Sequence, residues 1–171
     1  MRNAPSQSTG FTIIELLVAM TIASVMMAIA IPAFNDFTTQ RRMAANVNSL
    51  VGAVNYARNE ATRLGATVTL QATDAGDSDN EWGLGFCVNA ADNGDCDDSL
   101  QRFEIEGAVT FDALGLLNNV DSLSFNSRGL MLGGVQGTIQ LCGEDEDDDP
   151  GRSLNINAIG RVSVIDLTCY P

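Results

Sequence analysis

The amino-acid sequence predicts an α+β protein in which one long N-terminal helix packs on a C-terminal antiparallel β-sheet domain. Three observations lead to this fold class. Residues 11–31 form an apolar block with a single charge, and residues 37–64 repeat apolar side chains at spacings of three and four. From residue 66 onward, short runs typical of strands alternate with turn residues. A sheet is then needed to cover the apolar stripe of the helix.

The apolar block at residues 11–31 is the first element of this fold. Its 21 residues, at about 1.5 Å per residue, are enough for a helix to cross a hydrocarbon core of roughly 30 Å. Glu15 is the only charged residue in the block, and Pro32 follows its end. The preceding segment, MRNAPSQSTG, is short and polar. The block is too long for a secretory signal and lacks a small-x-small cleavage pattern, so we expect a membrane-type helix.

The second half of the helix, residues 32–64, is amphipathic. Its apolar stripe consists of Phe37, Met43, Val47, Leu50, Val51, Val54, Ala57, Ala61 and Leu64. The positions between them are polar: Arg41, Arg42, Asn46, Asn55, Arg58, Asn59 and Arg63. Pro32 either kinks a continuous helix or unwinds it locally, and Gly65 is expected to end it.

The remaining residues, 65–171, are expected to form a β-rich soluble domain of six or more short strands. The strand-like segments are TVTLQAT, WGLGFCV, QRFEIEG, AVTFDAL, SLSFNS, GTIQLC and SLNINAIGRVSVIDL. The last of these divides at AIG into a predicted hairpin. The expected organisation is therefore a short polar segment at 1–10, a membrane-type helix at 11–31, its amphipathic half at 32–64, and the domain at 65–171.

The charge of the chain is strongly acidic and unevenly distributed. The net charge is −13, and residues 65–171 alone carry 19 acidic residues against four arginines, a net charge of −15. Such a surface repels phosphate backbones and anionic headgroups, so no nucleic-acid partner is expected. The sequence contains no His and no Gly-rich phosphate loop after a strand, which argues against an enzyme.

The four cysteines, Cys87, Cys96, Cys142 and Cys169, all lie in the soluble part. An even number of cysteines beyond a membrane-type segment is typical of disulfides in an oxidising compartment. Three pairings are possible. We favour Cys87–Cys96, which closes a short acidic loop, together with Cys142–Cys169, which ties the C-terminus to a strand. A reduced or metal-bound cluster is the alternative.

The N-terminal residues carry a specific combination of features. Gly10 precedes Phe11, Glu15 is the fifth residue after that glycine, and Pro32 is the twenty-second. With the short polar leader, this combination resembles the class III signal of type IV pilins and type II secretion pseudopilins. The resemblance implies that a prepilin peptidase cuts after Gly10 and methylates the new amine of Phe11.

The C-terminal part resembles a narrower group. WGLGFCV, FNSRG, IQLCG and RSLNINAIGRVSV occur in the order typical of the GspH/FimT group, which comprises H-class minor pseudopilins and minor pilins such as FimT and FimU. The resemblance implies a structural minor subunit of a type IV pilus or a type II secretion pseudopilus. The sequence does not separate these two machineries, nor a tip position from a shaft position.

The resemblance also implies partners, a location and roles for two residues. The partners would be other pilin or pseudopilin subunits, the prepilin peptidase and an inner-membrane assembly platform. The chain would be a single-pass inner-membrane protein with a periplasmic domain, and then a filament subunit. Glu15 would pair with the amine of Phe11, either on a neighbouring subunit or within one chain. Pro32 would mark where the helix melts on assembly, or a static kink.

The acidic loops permit a second class of function. They contain Asp74, Asp77, Asp79 and Glu81; Asp92, Asp95, Asp97 and Asp98; and residues 144–149. No cofactor is expected, since none of these loops has complete EF-hand spacing and runs of adjacent acids are usually solvated; calcium remains the alternative. The alternative function is a pilus-tip binding module, either an adhesin or a DNA-uptake pilin. DNA uptake would require a basic patch, for which only Arg152 and Arg161 are available near the C-terminal strands.

Overall fold

A computed structural model describes residues 11–73, 82–90, 96–105, 107, 109–115, 120–134, 136–143 and 150–169. The chain divides into two compact units, Met1–Thr38 and Thr39–Pro171, which are described separately. Helix α1 (Ile13–Leu64) contributes to both units. The predicted α+β architecture is confirmed, because one long N-terminal helix precedes strands that are all antiparallel.

Helix α1 begins and ends at residues that favour those boundaries. The hydroxyl of Thr12 accepts a hydrogen bond from the Glu15 amide (3.3 Å), which satisfies one free donor of the first turn. At the other end Gly65 has φ +65°, the left-handed conformation that terminates helices and that glycine adopts without strain. Pro32 lies inside the helix, and the helical conformation continues through it.

The strands form two four-stranded antiparallel sheets, a division that the sequence did not indicate. The first sheet has the order β3-β2-β1-β5 and the second the order β4-β6-β7-β8. Their bounds are β1 Val68–Ala72, β2 Phe86–Asn89, β3 Gln101–Phe103, β4 Val109–Gly115, β5 Ser122–Phe125, β6 Gly137–Gly143, β7 Pro150–Ile156 and β8 Val162–Thr168. The hairpin predicted at AIG is present as β7 and β8, paired in register from Pro150–Thr168 to Ile156–Val162.

Two predicted strands are shorter than the sequence suggested. In WGLGFCV only β2 is extended, because Gly85 has φ +112° and an added Cβ would lie 2.7 Å from the Phe103 carbonyl oxygen. Trp82, in the turn before it, is buried and donates a hydrogen bond from Nε1 to the Val120 carbonyl (3.1 Å). In QRFEIEG the strand ends at Phe103, whose ring stacks on Phe86 at a centroid distance of 5.4 Å.

One hydrophobic core joins the second half of α1 to both sheets. The buried helix residues are Met43, Asn46, Val47, Leu50, Ala53, Val54, Ala57 and Ala61. The predicted stripe was therefore wrong at its ends, because Phe37 and Leu64 are exposed. It was also wrong at Asn46, which lies three residues after Met43 and four before Leu50, and so shares their face.

Both disulfides have the pairing that was favoured from the sequence. Cys87 is bonded to Cys96 across a separation of 9 residues, with Cα atoms 5.8 Å apart. Cys142 is bonded to Cys169 across a separation of 27 residues, with Cα atoms 5.9 Å apart. The second bond fastens the end of the chain that follows β8 to strand β6. The prediction of a disulfide at Cys142 and Cys169 is confirmed.

Candidate assembly site

The first unit presents apolar side chains to its surroundings on every side. Phe11 is 74% exposed and Ile13 is 82% exposed, and every described residue from 11 to 37 is classed as exposed. The helix includes a stretch of mean hydropathy 2.3 of which no part is buried. A helix that is apolar all round requires lipid or other protein as its environment.

The hydroxyl groups of this apolar segment are satisfied within the helix. Thr21 donates to the Val18 carbonyl and Ser24 to the Thr21 carbonyl, both at 2.8 Å. These bonds remove the cost that an unpaired hydroxyl would incur in hydrocarbon. The segment is therefore compatible with an apolar environment despite its polar residues.

Glu15 lies in the first turn of the helix, where its negative charge faces the positive end of the helix dipole. Residues Thr12 to Glu15 have the T-x-x-E spacing of a capping box, and the Thr12 hydroxyl makes one of the two bonds of that motif. This capping role was not predicted, although the T-x-x-E spacing in the sequence indicates it. Phe11 lies just before the helix, one turn away from Glu15, and Gly10 lies outside the described residues.

Pro32 lacks the amide that would bond the carbonyl of residue 28. One turn later, Thr38 donates to the carbonyls of both Phe34 (2.9 Å) and Asn35 (2.8 Å). Hydroxyls that bond back to the preceding turn often bend helices slightly. The chain nevertheless stays helical from Pro32 through Thr38.

In the second unit, two turns of identical hydrogen bonding flank the end of α1. In the first, the Asn126 side-chain oxygen accepts from the amides of Arg128 (2.9 Å) and Leu130 (3.1 Å). In the second, Asn157 accepts in the same way from Ile159 (3.2 Å) and Arg161 (2.8 Å). Each turn is closed by the same pair of backbone bonds, and each has a glycine of positive φ at its fourth position, Gly129 and Gly160.

Arg58 of the helix joins these two turns. Its Nε donates to the Gly129 carbonyl (3.0 Å) and its Nη1 to the Gly160 carbonyl (3.3 Å). One guanidinium thus connects the helix to the turn after β5 and to the turn between β7 and β8, one from each sheet. The motifs FNSRG and NAIGR, which carried the subgroup resemblance, are the segments that form this junction.

The other sites raised by the sequence are only partly described. Most of the proposed calcium ligands lie outside the described residues, in the segments 74–81, 91–95 and 144–149. The other two, Asp97 and Asp98, are described and are exposed. Within the described ranges, no three cysteine or acidic side chains are grouped to hold a metal. Arg152 forms an ion pair with Asp166 across β7 and β8, which offsets its charge.

Comparisons with known proteins agree with this architecture. The family described as Type II transport protein GspH matches residues 46–160, and the prokaryotic N-terminal methylation motif matches residues 5–31. A fimbrial protein of Pseudomonas aeruginosa is 28% identical over 126 residues, which are 74% of this chain and 75% of that protein.

Two solved structures have the same fold. The type IV minor pilin FimU of Pseudomonas aeruginosa aligns with a TM-score of 0.64 at 24% identity, over 78% of this chain and 99% of that one. The minor pseudopilin EpsH of the Vibrio cholerae Type 2 Secretion System aligns with a TM-score of 0.51 at 11% identity, over 72% of this chain and 96% of that one. The family match covers the helix end, the first Asn turn, the second Asn turn as far as Gly160, and strands β1 to β7. The chain is therefore a member of the family described as Type II transport protein GspH.

Proposed function

We propose that this protein is a structural minor subunit, a minor pilin or an H-type pseudopilin, that enters a filament through residues 11–31. The observation that carries the proposal is the fully exposed apolar segment with a single carboxylate in its first turn. Such a segment is stable only in lipid or among similar helices. The membrane would hold the chain before assembly, and neighbouring subunits would surround the segment afterwards.

Processing completes the proposed site. Cleavage between Gly10 and Phe11 by a prepilin peptidase would create an amine one helical turn from Glu15, and the same enzyme would methylate it. A carboxylate in the apolar region costs roughly 2.5–3.5 kcal/mol on insertion scales. The helix dipole offsets part of that cost, and an amine from a neighbouring subunit would offset more. The carboxylate would therefore favour subunits in the correct register.

The test measures incorporation into filaments of chains altered at Glu15. Glu15→Gln keeps the size and the hydrogen-bonding oxygen but removes the charge, and Glu15→Ala removes both. If the charge directs assembly, both variants are cleaved at Gly10 but lose most of their incorporation. Asp36→Asn is the matched control, since it neutralises an exposed carboxylate of the same helix beyond Pro32.

Two measurements separate the steps. Mass spectrometry of the N-terminus reports cleavage and methylation, and shearing of filaments followed by immunodetection reports incorporation. Normal incorporation of Glu15→Gln would refute the charge-pairing argument. Recovery of the wild-type chain only from membranes, under conditions in which filaments form, would refute the proposed function itself.

The location and the remaining partners follow from this proposal. The domain would face the periplasm, where the two disulfides form, and the chain would enter the filament from an inner-membrane assembly platform. The binding-module alternative receives no support from Arg152, because its charge is compensated by Asp166.

A further inference from the structure

Strand β8 lies at the edge of the second sheet. The order β4-β6-β7-β8 gives it one neighbour, and none of the other strands that the structure describes pairs with it. It has seven residues, whereas the edge strands of the first sheet, β3 and β5, have three and four. An edge strand presents a row of unpaired N–H and C=O groups, and short length is one way in which proteins keep such a row from pairing with another chain. Strand β8 does not have that protection.

The hairpin before β8 determines which of its backbone groups point to the free edge. The Asn157 amide donates to the Arg161 carbonyl (3.1 Å), so these two residues form a hydrogen-bonded pair at the end of the hairpin. Hydrogen-bonded and non-hydrogen-bonded pairs alternate along an antiparallel ladder. The register of β7 and β8 therefore directs the backbone groups of residues 163, 165 and 167 toward β7. Those of residues 162, 164, 166 and 168 point away from it, and each of these residues has one donor and one acceptor.

Aliphatic side chains of β8 are exposed on both faces of the sheet. Val164 is 42% exposed and Ile165 is 55% exposed. Because successive side chains of a strand alternate, these two lie on opposite faces. A partner packed on one face would cover only one of them. A strand added beside β8 would cover part of both, since its own side chains would flank the edge on the two faces.

Strand β8 also lacks the other features that keep natural edges from pairing. Its sequence, VSVIDLT, contains no proline and no lysine, and its register with β7 is continuous, without a bulge. Its only charged residue is Asp166, near one end, whose charge is offset by the ion pair with Arg152 of β7. The edge therefore has the backbone groups, the length and the side chains of a strand acceptor.

We propose that β8 accepts an extended segment of a different filament subunit, which becomes the fifth strand of the second sheet. The segment would have β-branched or aromatic side chains opposite Val164 and Ile165, because such cross-strand pairs are the favourable ones for these residues. The inference rests on the proposed function, since the filament supplies the partner. A second copy of this chain is a poorer occupant, because a minor subunit has mainly other subunits as its neighbours.

The first measurement tests whether the edge is open in the isolated protein. Hydrogen exchange of the full-length chain in mild detergent is resolved to single amides by mass spectrometry. The amides of residues 162, 164, 166 and 168 should exchange at least about tenfold faster than those of residues 163, 165 and 167, which bond β7. Equal protection of the two sets would overturn the proposal, because the edge would then already be covered.

Proline substitutions provide variants that separate binding from folding. Val164→Pro removes an amide that faces the free edge, where proline is tolerated, so the domain should fold with Trp82 fluorescence like that of the wild type. The missing donor and the proline ring should nevertheless block an added strand. Ile165→Pro removes an amide that bonds β7 and should disrupt the domain. Val164→Ala is the matched control, since it removes apolar atoms and keeps the amide.

The contact itself is measured by photocross-linking of the full-length chain in cells that assemble filaments. A photoreactive amino acid replaces Ser163, which is exposed and precedes Val164. Illumination should join the chain to one extended segment of another filament subunit, and the yield should fall at least about tenfold with Val164→Pro but not with Val164→Ala. If Val164→Pro does not fold, Val164→Lys should give the same loss, because an edge lysine opposes pairing while it keeps the amide. The photoreactive residue at Leu84, which is 66% exposed in the turn before β2, is the control position.

Several outcomes of the cross-linking would overturn the proposal. They are a yield at Ser163 no higher than at Leu84, a yield that neither Val164→Pro nor Val164→Lys lowers, and a cross-link to a second copy, to lipid, to nucleic acid or to a protein outside the filament. Filament incorporation is measured in the same cells. Wild-type incorporation without the cross-link would refute this contact alone, whereas absence of incorporation would refute the proposed function.

Discussion

The junction at Arg58 leads to a quantitative prediction for Arg58→Met. Methionine keeps most of the side-chain stem, which lies near Gly160, but removes the guanidinium that bonds two carbonyls. A hydrogen bond from a charged donor contributes about 1.5–3 kcal/mol, and solvent reaches this half-buried site. We therefore expect the free energy of unfolding of the domain to fall by about 2–4 kcal/mol, a large part of the 5–15 kcal/mol typical of a folded domain.

The assay is denaturant unfolding of the full chain in mild detergent, followed by tryptophan fluorescence. Trp82 is the only tryptophan and is 1% exposed, so its emission reports the packing of the core. With a slope of about 2 kcal/mol per molar urea, the midpoint should fall by roughly 1–2 M. Arg58→Lys should give an intermediate loss, because an ammonium group does not have the fork that reaches both carbonyls.

Arg63→Met is the matched control on the same helix. Among the described residues, the Arg63 side chain bonds Glu60, three positions earlier, at 2.8 Å, and it is 64% exposed. That hydrogen bond and the charge of Glu60 raise the pKa of Arg63. A group whose pKa is raised on folding contributes a constant stability at every pH well below its unfolded pKa. The Arg63–Glu60 pair should therefore not change how stability depends on pH in the neutral range. If Arg58→Met lost no more stability than Arg63→Met, the junction would not hold the helix to the sheets.

Two further predictions concern the same domain. Gly160→Ala places a methyl group 2.7 Å from the Phe125 ring at a residue with φ +74°, and should lower the free energy of unfolding by about 2–4 kcal/mol in the same assay. Gly52 lies in open space on the helix, so Gly52→Ala should be neutral or stabilising by up to about 1 kcal/mol. Equal effects of the two substitutions would contradict the packing described here. Replacing Cys142 and Cys169 by alanine should cost about 3–4 kcal/mol for a loop of this length, and a loss below about 1 kcal/mol would mean that the C-terminal strand is held by its pairing alone.

The parts of the fold that were predictable are those specified by neighbouring residues. The helix end at Gly65, the β7–β8 hairpin and the Cys87–Cys96 disulfide depend on short spacings in the sequence, and the Cys142–Cys169 disulfide then follows because only two cysteines remain. The division into two sheets does not, because β1 pairs with β5 across about 50 residues and no local pattern selects that partner. Asn46 was assigned to the polar side because of its residue type, although its spacing places it in the buried stripe.

The candidate site was predictable to a similar degree. Glu15 was evident as the one charge in an apolar run. The T-x-x-E spacing from Thr12 to Glu15 could also have predicted the helix cap, but it was not used. Arg58 appeared to be one of several surface arginines, because its acceptors lie 71 and 102 residues further along the chain. The two Asn turns share only an Asn-x-x-Gly pattern, which is too short to be recognised as a repeat without the hydrogen bonds.

The exposure of the whole apolar segment has a consequence for the energetics of assembly. A helix that moves from a bilayer into a bundle of similar helices exchanges one apolar environment for another, and lipid tails are about as apolar as leucine. The hydrophobic effect, which drives most protein folding, is then nearly the same before and after the move. If the chain enters a filament as proposed, its preference for the filament must come from close packing and from the few polar groups on the segment. A single carboxylate in the first turn of the helix would therefore have a larger influence on where this chain resides than the seventeen apolar residues of the same segment.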